Sequence, residues 1–191
     1  MARIRTTLSA CALLVALCAG AAHPALPAPR PFGGCGILIL RQDAGAPPMS
    51  LTLYREPGLL RLAEYLPAAL PRLAEHAGEH YLAASARKGV WTRLAYDDAG
   101  RHGWLKQERG WEYLPWREFL PGRTVRVLPG MKKELYALKE EAGGGSSGIG
   151  ALNRGQQVTV LRVEDDWALL QAPSGWFRWC DGDGRLTVSL Q

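Results

Sequence analysis

Residues 155–179, GQQVTVLRVEDDWALLQAPSGWFRW, constrain the fold more than any other part of this chain. Val158 and Val160 alternate with polar neighbours, the period of a half-buried strand. Glu164-Asp165-Asp166 is a polar turn, and Trp167-Ala168-Leu169-Leu170-Gln171 returns from it. Pro173-Ser174-Gly175 turns again before Trp176-Phe177-Arg178-Trp179. Three short strands joined by tight turns make a β-meander, and Asp181-Gly182-Asp183-Gly184 supplies one more turn before a last strand over 186–190. So small a sheet has edges to hide, and closure into a barrel is the usual remedy.

A strand after glycine, a polar turn, a strand opened by tryptophan and then Gly-Trp-aromatic resemble the bacterial SH3-like (SH3b) domain. Leu135-Tyr136-Ala137-Leu138 is similar to the first strand of that family, and residues 146–155 to its approach to the second. The resemblance covers 124–191. It implies a small barrel that binds a peptide or cell-wall segment without catalysis, through aromatic residues beside the groove. Tyr136 and Trp167 are the leading candidates for that contact, with Trp176 beside them.

A search for repeats gives a second, more divergent copy over 50–109. Leu53-Tyr54 precedes a turn as Leu135-Tyr136 does, and 80–84 stands where 158–160 stands later. Trp91-Thr92-Arg93-Leu94 repeats Trp167-Ala168-Leu169-Leu170, and Gly103-Trp104 repeats Gly175-Trp176. Tyr54 and Trp91 are therefore the ligand candidates of the first copy. The expected fold is all-β: two tandem SH3-like small barrels, the first with a short helical insertion. That insertion is 59–77, LLRLAEYLPAALPRLAEHA, whose composition is helical but which Pro67 and Pro71 cut into short helices or turns. Residues 110–123, with Trp111, Tyr113, Trp116 and Phe119, are too apolar for a free linker and are expected to pack between the copies.

The N-terminus sets the compartment. Arg3 and Arg5, an apolar run from Leu8 to Ala19 and Ala19-Gly20-Ala21 read as a signal peptide over 1–21. Cys18 raises a lipid anchor, which Leu17 directly before it disfavours. Residues 22–49 then form a Pro-rich connector and a first strand, Ile37-Leu38-Ile39-Leu40. The expected location is periplasmic or secreted, with no transmembrane segment once the leader is removed. Cys35 and Cys180 are the only cysteines beyond the leader, and an oxidising compartment favours their union in a disulfide.

Charge excludes little else. The formal net charge is +5, of which Arg3 and Arg5 supply two, and the remaining basic residues are scattered, so nucleic acid is not an expected partner. Gly143-x-Gly145-x-x-Gly148 lacks the strand and helix of a dinucleotide site. Asp181 and Asp183 open no calcium loop, because its closing acid has no position, and a tight turn accounts for them. His76 and His80 lack a third metal ligand. No catalytic residue, cofactor or metal is assigned. The expected partner is a peptide, peptidoglycan or an envelope protein. The expected function is a noncatalytic binding module of the cell envelope, with a structural or assembly partner, or an accessory to cell-wall hydrolysis, as alternatives.

Overall fold

The computed structural model describes residues 30–41 and 49–191. The leader, Cys18 and most of the Pro-rich connector lie outside them. The chain forms fifteen strands among the described residues. The first sheet holds β1 (Gly36–Arg41), β2 (Leu51–Glu56), β3 (Leu59–Tyr65), β4 (Ala74–His76), β5 (Glu79–Lys88), β6 (Trp91–Ala95), β7 (His102–Lys106) and β8 (Glu112–Pro115). A one-turn helix, α1 (Trp116–Phe119), leads to the second. That sheet holds β9 (Thr124–Val127), β10 (Ala137–Lys139), β11 (Gly148–Ala151), β12 (Gln157–Glu164), β13 (Trp167–Leu170), β14 (Gly175–Arg178) and β15 (Val188–Leu190).

Both sheets are antiparallel, and they repeat one plan. The first runs β3-β2-β7-β6-β5-β1-β8, with β4 added beside β5; the second runs β11-β10-β14-β13-β12-β9-β15. Register repeats as well. Lys88 faces Trp91 and Arg93 faces Trp104, as Glu164 faces Trp167 and Leu169 faces Trp176. A bulge after Ala84 recurs after Val160. The duplication seen in the tryptophan spacing is therefore present strand for strand. The closed barrels expected from it are not: each sheet is an open path with two ends.

Three expectations need correction. Residues 59–65 are not helical but form β3, paired along β2 from the tight turn at Pro57-Gly58. Cross-strand hydrogen bonds outweigh the weak helical preference of leucine, alanine and glutamate there. Of the helical insertion only a 3-10 turn remains, Pro67–Ala69, after which Leu70 drops into the first core. The first sheet also takes in β1 and β8, which lie in the stretches read as connector and linker.

β1 is the hinge of the architecture, because both its faces are covered. Leu38 and Leu40 enter the first core with Leu53, Leu82 and Leu94. Ile37 and Ile39 face the other way, into a second core that holds Val125, Val160, Leu170 and Phe177. Trp116 and Phe119 of α1 join that second core, while Trp111 lies in the first. A strand buried on both faces needs a continuous apolar run, which is what Ile37-Leu38-Ile39-Leu40 provides.

Ahead of β1, residues 30–34 cross to the far end of the chain as a strap. Leu186 N–H donates to Pro31 O (2.9 Å) and Gly33 N–H to Gly184 O (3.0 Å). Arg30 pairs with Asp181. Gly34 sits at φ +64° with the Ala84 carbonyl against it, where a side chain would collide with backbone.

Candidate functional site

The aromatic residues singled out from sequence do not form two equivalent grooves. In the first unit Tyr54 and Trp91 meet edge to face, with ring centroids 5.4 Å apart and planes at 87°. Tyr54 lies opposite Trp104, on the outward side of β2 and β7. In the second unit Tyr136 is a core residue. It ends a 3-10 turn, Lys133–Tyr136, is 7% exposed, donates its hydroxyl to Leu128 O (3.0 Å) and accepts from Met131 N–H (3.2 Å). Its ring gives no surface to a ligand. The position that matches Tyr54 is Lys139, since Tyr54 faces Trp104 and Lys139 faces Trp176. The sequence pairing of Tyr54 with Tyr136 was three residues out of step.

Trp167 is half-buried, with the Arg178 guanidinium 5.9 Å above its ring; Trp176 is buried, with Arg162 at 5.2 Å. Both hold arginine stems against the sheet. Tyr136, Trp167 and Trp176 therefore do not combine into one open face.

The expected Cys35–Cys180 bond is not formed, and both thiols are free. Cys35 is exposed at the start of β1, where its Sγ lies 3.3 Å from Ala84 O and 3.5 Å from the Tyr113 hydroxyl. Burial, then that thiol, pushes the Tyr113 hydroxyl up to about 12. Cys180 is buried in the second core; burial, then Asp166 and Asp181, push it up to about 11. The strap joins the N-terminal strand to the end of the second unit in place of the bond.

A cleft of about 660 Å3 opens where the strap passes the first sheet. Its floor is small, from Gly34, Ala83, Ser85 and Ala95, which leaves the space. Phe32, Pro71 and Leu73 make apolar walls, and Arg30, Arg72, Arg185, Asp97, Asp98 and His102 stand around them. The charged groups are mostly engaged. Arg72 lies 3.3 Å from Glu75, Asp97 holds Arg101, and Arg185 stacks 4.2 Å over Phe32 while donating to Arg30 O. Burial, then Arg93 nearby, lowers the pKa of His102, so the ring is neutral at neutral pH. The strap residues escaped the sequence reading because they look like a linker; an aromatic beside glycines and prolines was the available signal.

A smaller hollow of about 300 Å3 lies at the joint of the units, between Tyr81, Phe119 and Leu190. Arg123 closes it, stacked 3.9 Å over Phe119. Glu79 beside it is held below the usual carboxylate range by the Tyr81 hydroxyl, then Arg41.

The other motifs resolve as turns. Asp181 Oδ1 accepts from the N–H groups of Asp183 and Arg185, both at 3.0 Å. His76 faces Glu79 and His80 faces Glu75 across the β4–β5 hairpin. Among the described residues no three acidic, His or Cys side chains gather as metal ligands, and no helix is long and apolar enough to cross a membrane.

Fold and clefts thus define an all-β protein of two duplicated antiparallel sheets with a roomy cleft at the strap. No known protein family, curated protein or solved structure matches the chain.

Proposed function

We propose that this chain is a noncatalytic binding module of the cell envelope, built from two SH3-like units, and that it takes an extended peptide or cell-wall segment in the cleft of the first unit. The carrying observation is that cleft of about 660 Å3, within the range that holds small ligands. Apolar walls with charges of both signs at the rim suit a peptide with apolar side chains, a carboxylate and an amine. The ion pairs around it hold architecture together; they are not groups poised to move protons. Export rests on the leader over 1–21, and the SH3-like reading on the meander and the shared strand order.

The test is retention on purified peptidoglycan and on a peptide array, with Ala83→Trp to fill the cleft floor and Arg72→Glu to reverse its rim. Binding that both variants weaken supports the reading. No retention, or retention indifferent to Ala83→Trp, overturns it. Retention lost in Trp167→Ala alone moves the site to the second unit, and hydrolysis by pure protein overturns the noncatalytic assignment.

A further inference from the structure

Because the sheets share one register, any place in the first unit has a counterpart in the second. The ends of the β2–β3 and β5–β6 hairpins differ sharply between the two. In the first unit Leu59, Leu60 and Val90 project there, 65%, 68% and 53% exposed. The two turns are neighbours: a side chain at Gly58 would lie 3.7 Å from the Trp91 ring, and Trp91 follows Val90 directly. Gln107 N–H donates to Val90 O (2.8 Å), bringing the β7–β8 turn alongside. The matching turn of the second unit reads Asp165-Asp166 for Gly89-Val90, with Glu164 for Lys88. Its other hairpin carries Glu140 and Glu141 after Lys139. The first unit ends in leucines and cations; the second ends in carboxylates, with Ile149, 54% exposed, set behind them on β11.

Leu60 adds a second, independent departure. It stands at φ +54°, a conformation costly to leucine and free to glycine, and gains no burial there. An apolar side chain held outward against both solvation and backbone preference marks a position kept for contact.

Neither cleft includes any residue of the tip, whose Leu59, Leu60 and Val90 side chains are more than half exposed. Such a tip suits a deformable partner better than a rigid groove. Exposed Arg55, Lys88, Arg93, Lys106 and Arg109 surround it, against Glu56 and Glu108. We infer that the first unit docks by this tip onto a bilayer surface carrying anionic phosphate headgroups. Leu59, Leu60 and Val90 enter the boundary between headgroups and acyl chains. Tyr54 and Trp91, half-buried beneath them, sit at the level favoured by amphipathic aromatics. The cations face the headgroups, and the acidic end of the second unit is kept off the same surface. The tip shares no residue with the cleft, so the inference stands apart from the proposed function.

Flotation with phosphatidylcholine vesicles, with and without phosphatidylglycerol, tests it on protein lacking residues 1–21. Leu60→Gly suits its backbone and keeps the fold, which its melting curve verifies. Binding is expected only with phosphatidylglycerol, with the Trp fluorescence shifted to the blue. Leu60→Gly weakens it about tenfold or more. Lys88→Glu weakens it and makes its loss with salt shallower, because one fewer attractive charge is left to screen. Leu161→Ser, which removes a side chain 50% exposed in the second unit, leaves it unchanged. No flotation, or flotation equal in wild type and Leu60→Gly, overturns the inference. A concentration-dependent dimer that Leu60→Gly abolishes, without vesicle binding, also overturns it and assigns the tip to a second copy of the chain.

Discussion

Replacing Asp181 by alanine should free the strap from the second unit while leaving both cores packed. The Asp181 carboxylate is 7% exposed and accepts from Asp183 N–H, Arg185 N–H and Arg30. A hydrogen bond to a charged group contributes about 1.5–3 kcal/mol, and three are lost. The turn amides and the Arg30 head, 22% exposed, can turn to water, which recovers much of that, so about 2–3 kcal/mol of strap stability should go. Local opening should then rise about 30- to 160-fold. The readout is hydrogen exchange at Gly33 and Leu186, whose N–H groups donate across the strap. pH gives the same result by another route. Burial opposes ionisation of Asp181, but the Arg185 amide, Arg30 and the Asp183 amide prevail and hold its pKa below 3.8. A depressed folded pKa stabilises fully above the unfolded value and is lost as pH falls through the folded one. Wild-type protection at Gly33 should therefore drop only below about pH 4, and that of Asp181→Ala should show no such step. Because Arg30, Phe32 and Arg185 line the cleft, ligand retention should fall with the strap. Unchanged exchange at Gly33, or equal acceleration in both cores, would refute the reasoning.

Thr92 is fully buried with its hydroxyl unpartnered, and the second unit has Ala168 at that position. Thr92→Val should stabilise by about 1 kcal/mol, read as a higher guanidinium midpoint; a lower midpoint would show that the hydroxyl is bonded. Tyr136→Phe should cost about 1–2 kcal/mol by leaving Leu128 O and Met131 N–H without their partner, measured the same way. Iodoacetamide at mildly alkaline pH should modify exposed Cys35 in the native protein and Cys180 only on unfolding; equal rates would contradict the burial that raises the Cys180 pKa.

What could be read from sequence was what local pattern controls. The meander over 155–179 appears as β12, β13 and β14 because alternation and turn residues act within a few positions. The first copy was legible through Trp91 and Trp104, whose cross-strand positions match those of Trp167 and Trp176. β3 was not, since LLRLAEY has no alternation and becomes a strand only by hydrogen bonding to β2. Nor could local pattern place β1 between β5 and β8, some 40 and 75 residues away. The cleft was hidden for the same reason, joining Phe32, Leu73, Ala95 and Arg185 from four distant stretches.

The duplicated register also separates residues kept for folding from those free to specialise. Inward positions hold matched apolar side chains: Leu38 with Val125, Leu82 with Val158, Leu94 with Leu170. They even trade volume, because Thr92 faces Leu105 where Ala168 faces Phe177, a smaller residue against a larger one. The shared tryptophans repeat at matched registers on the opposite face, so their repetition points to architecture before ligand. Function is better sought where equivalent positions part company. Lys88 against Glu164, Val90 against Asp166 and Tyr54 against Lys139 are such places, and none of the differences serves a core. If both units bound the same partner, these outward pairs would have no reason to differ in charge and polarity. The second unit can then support the first through Ile37, Ile39, Trp116 and Phe119 without sharing its contacts.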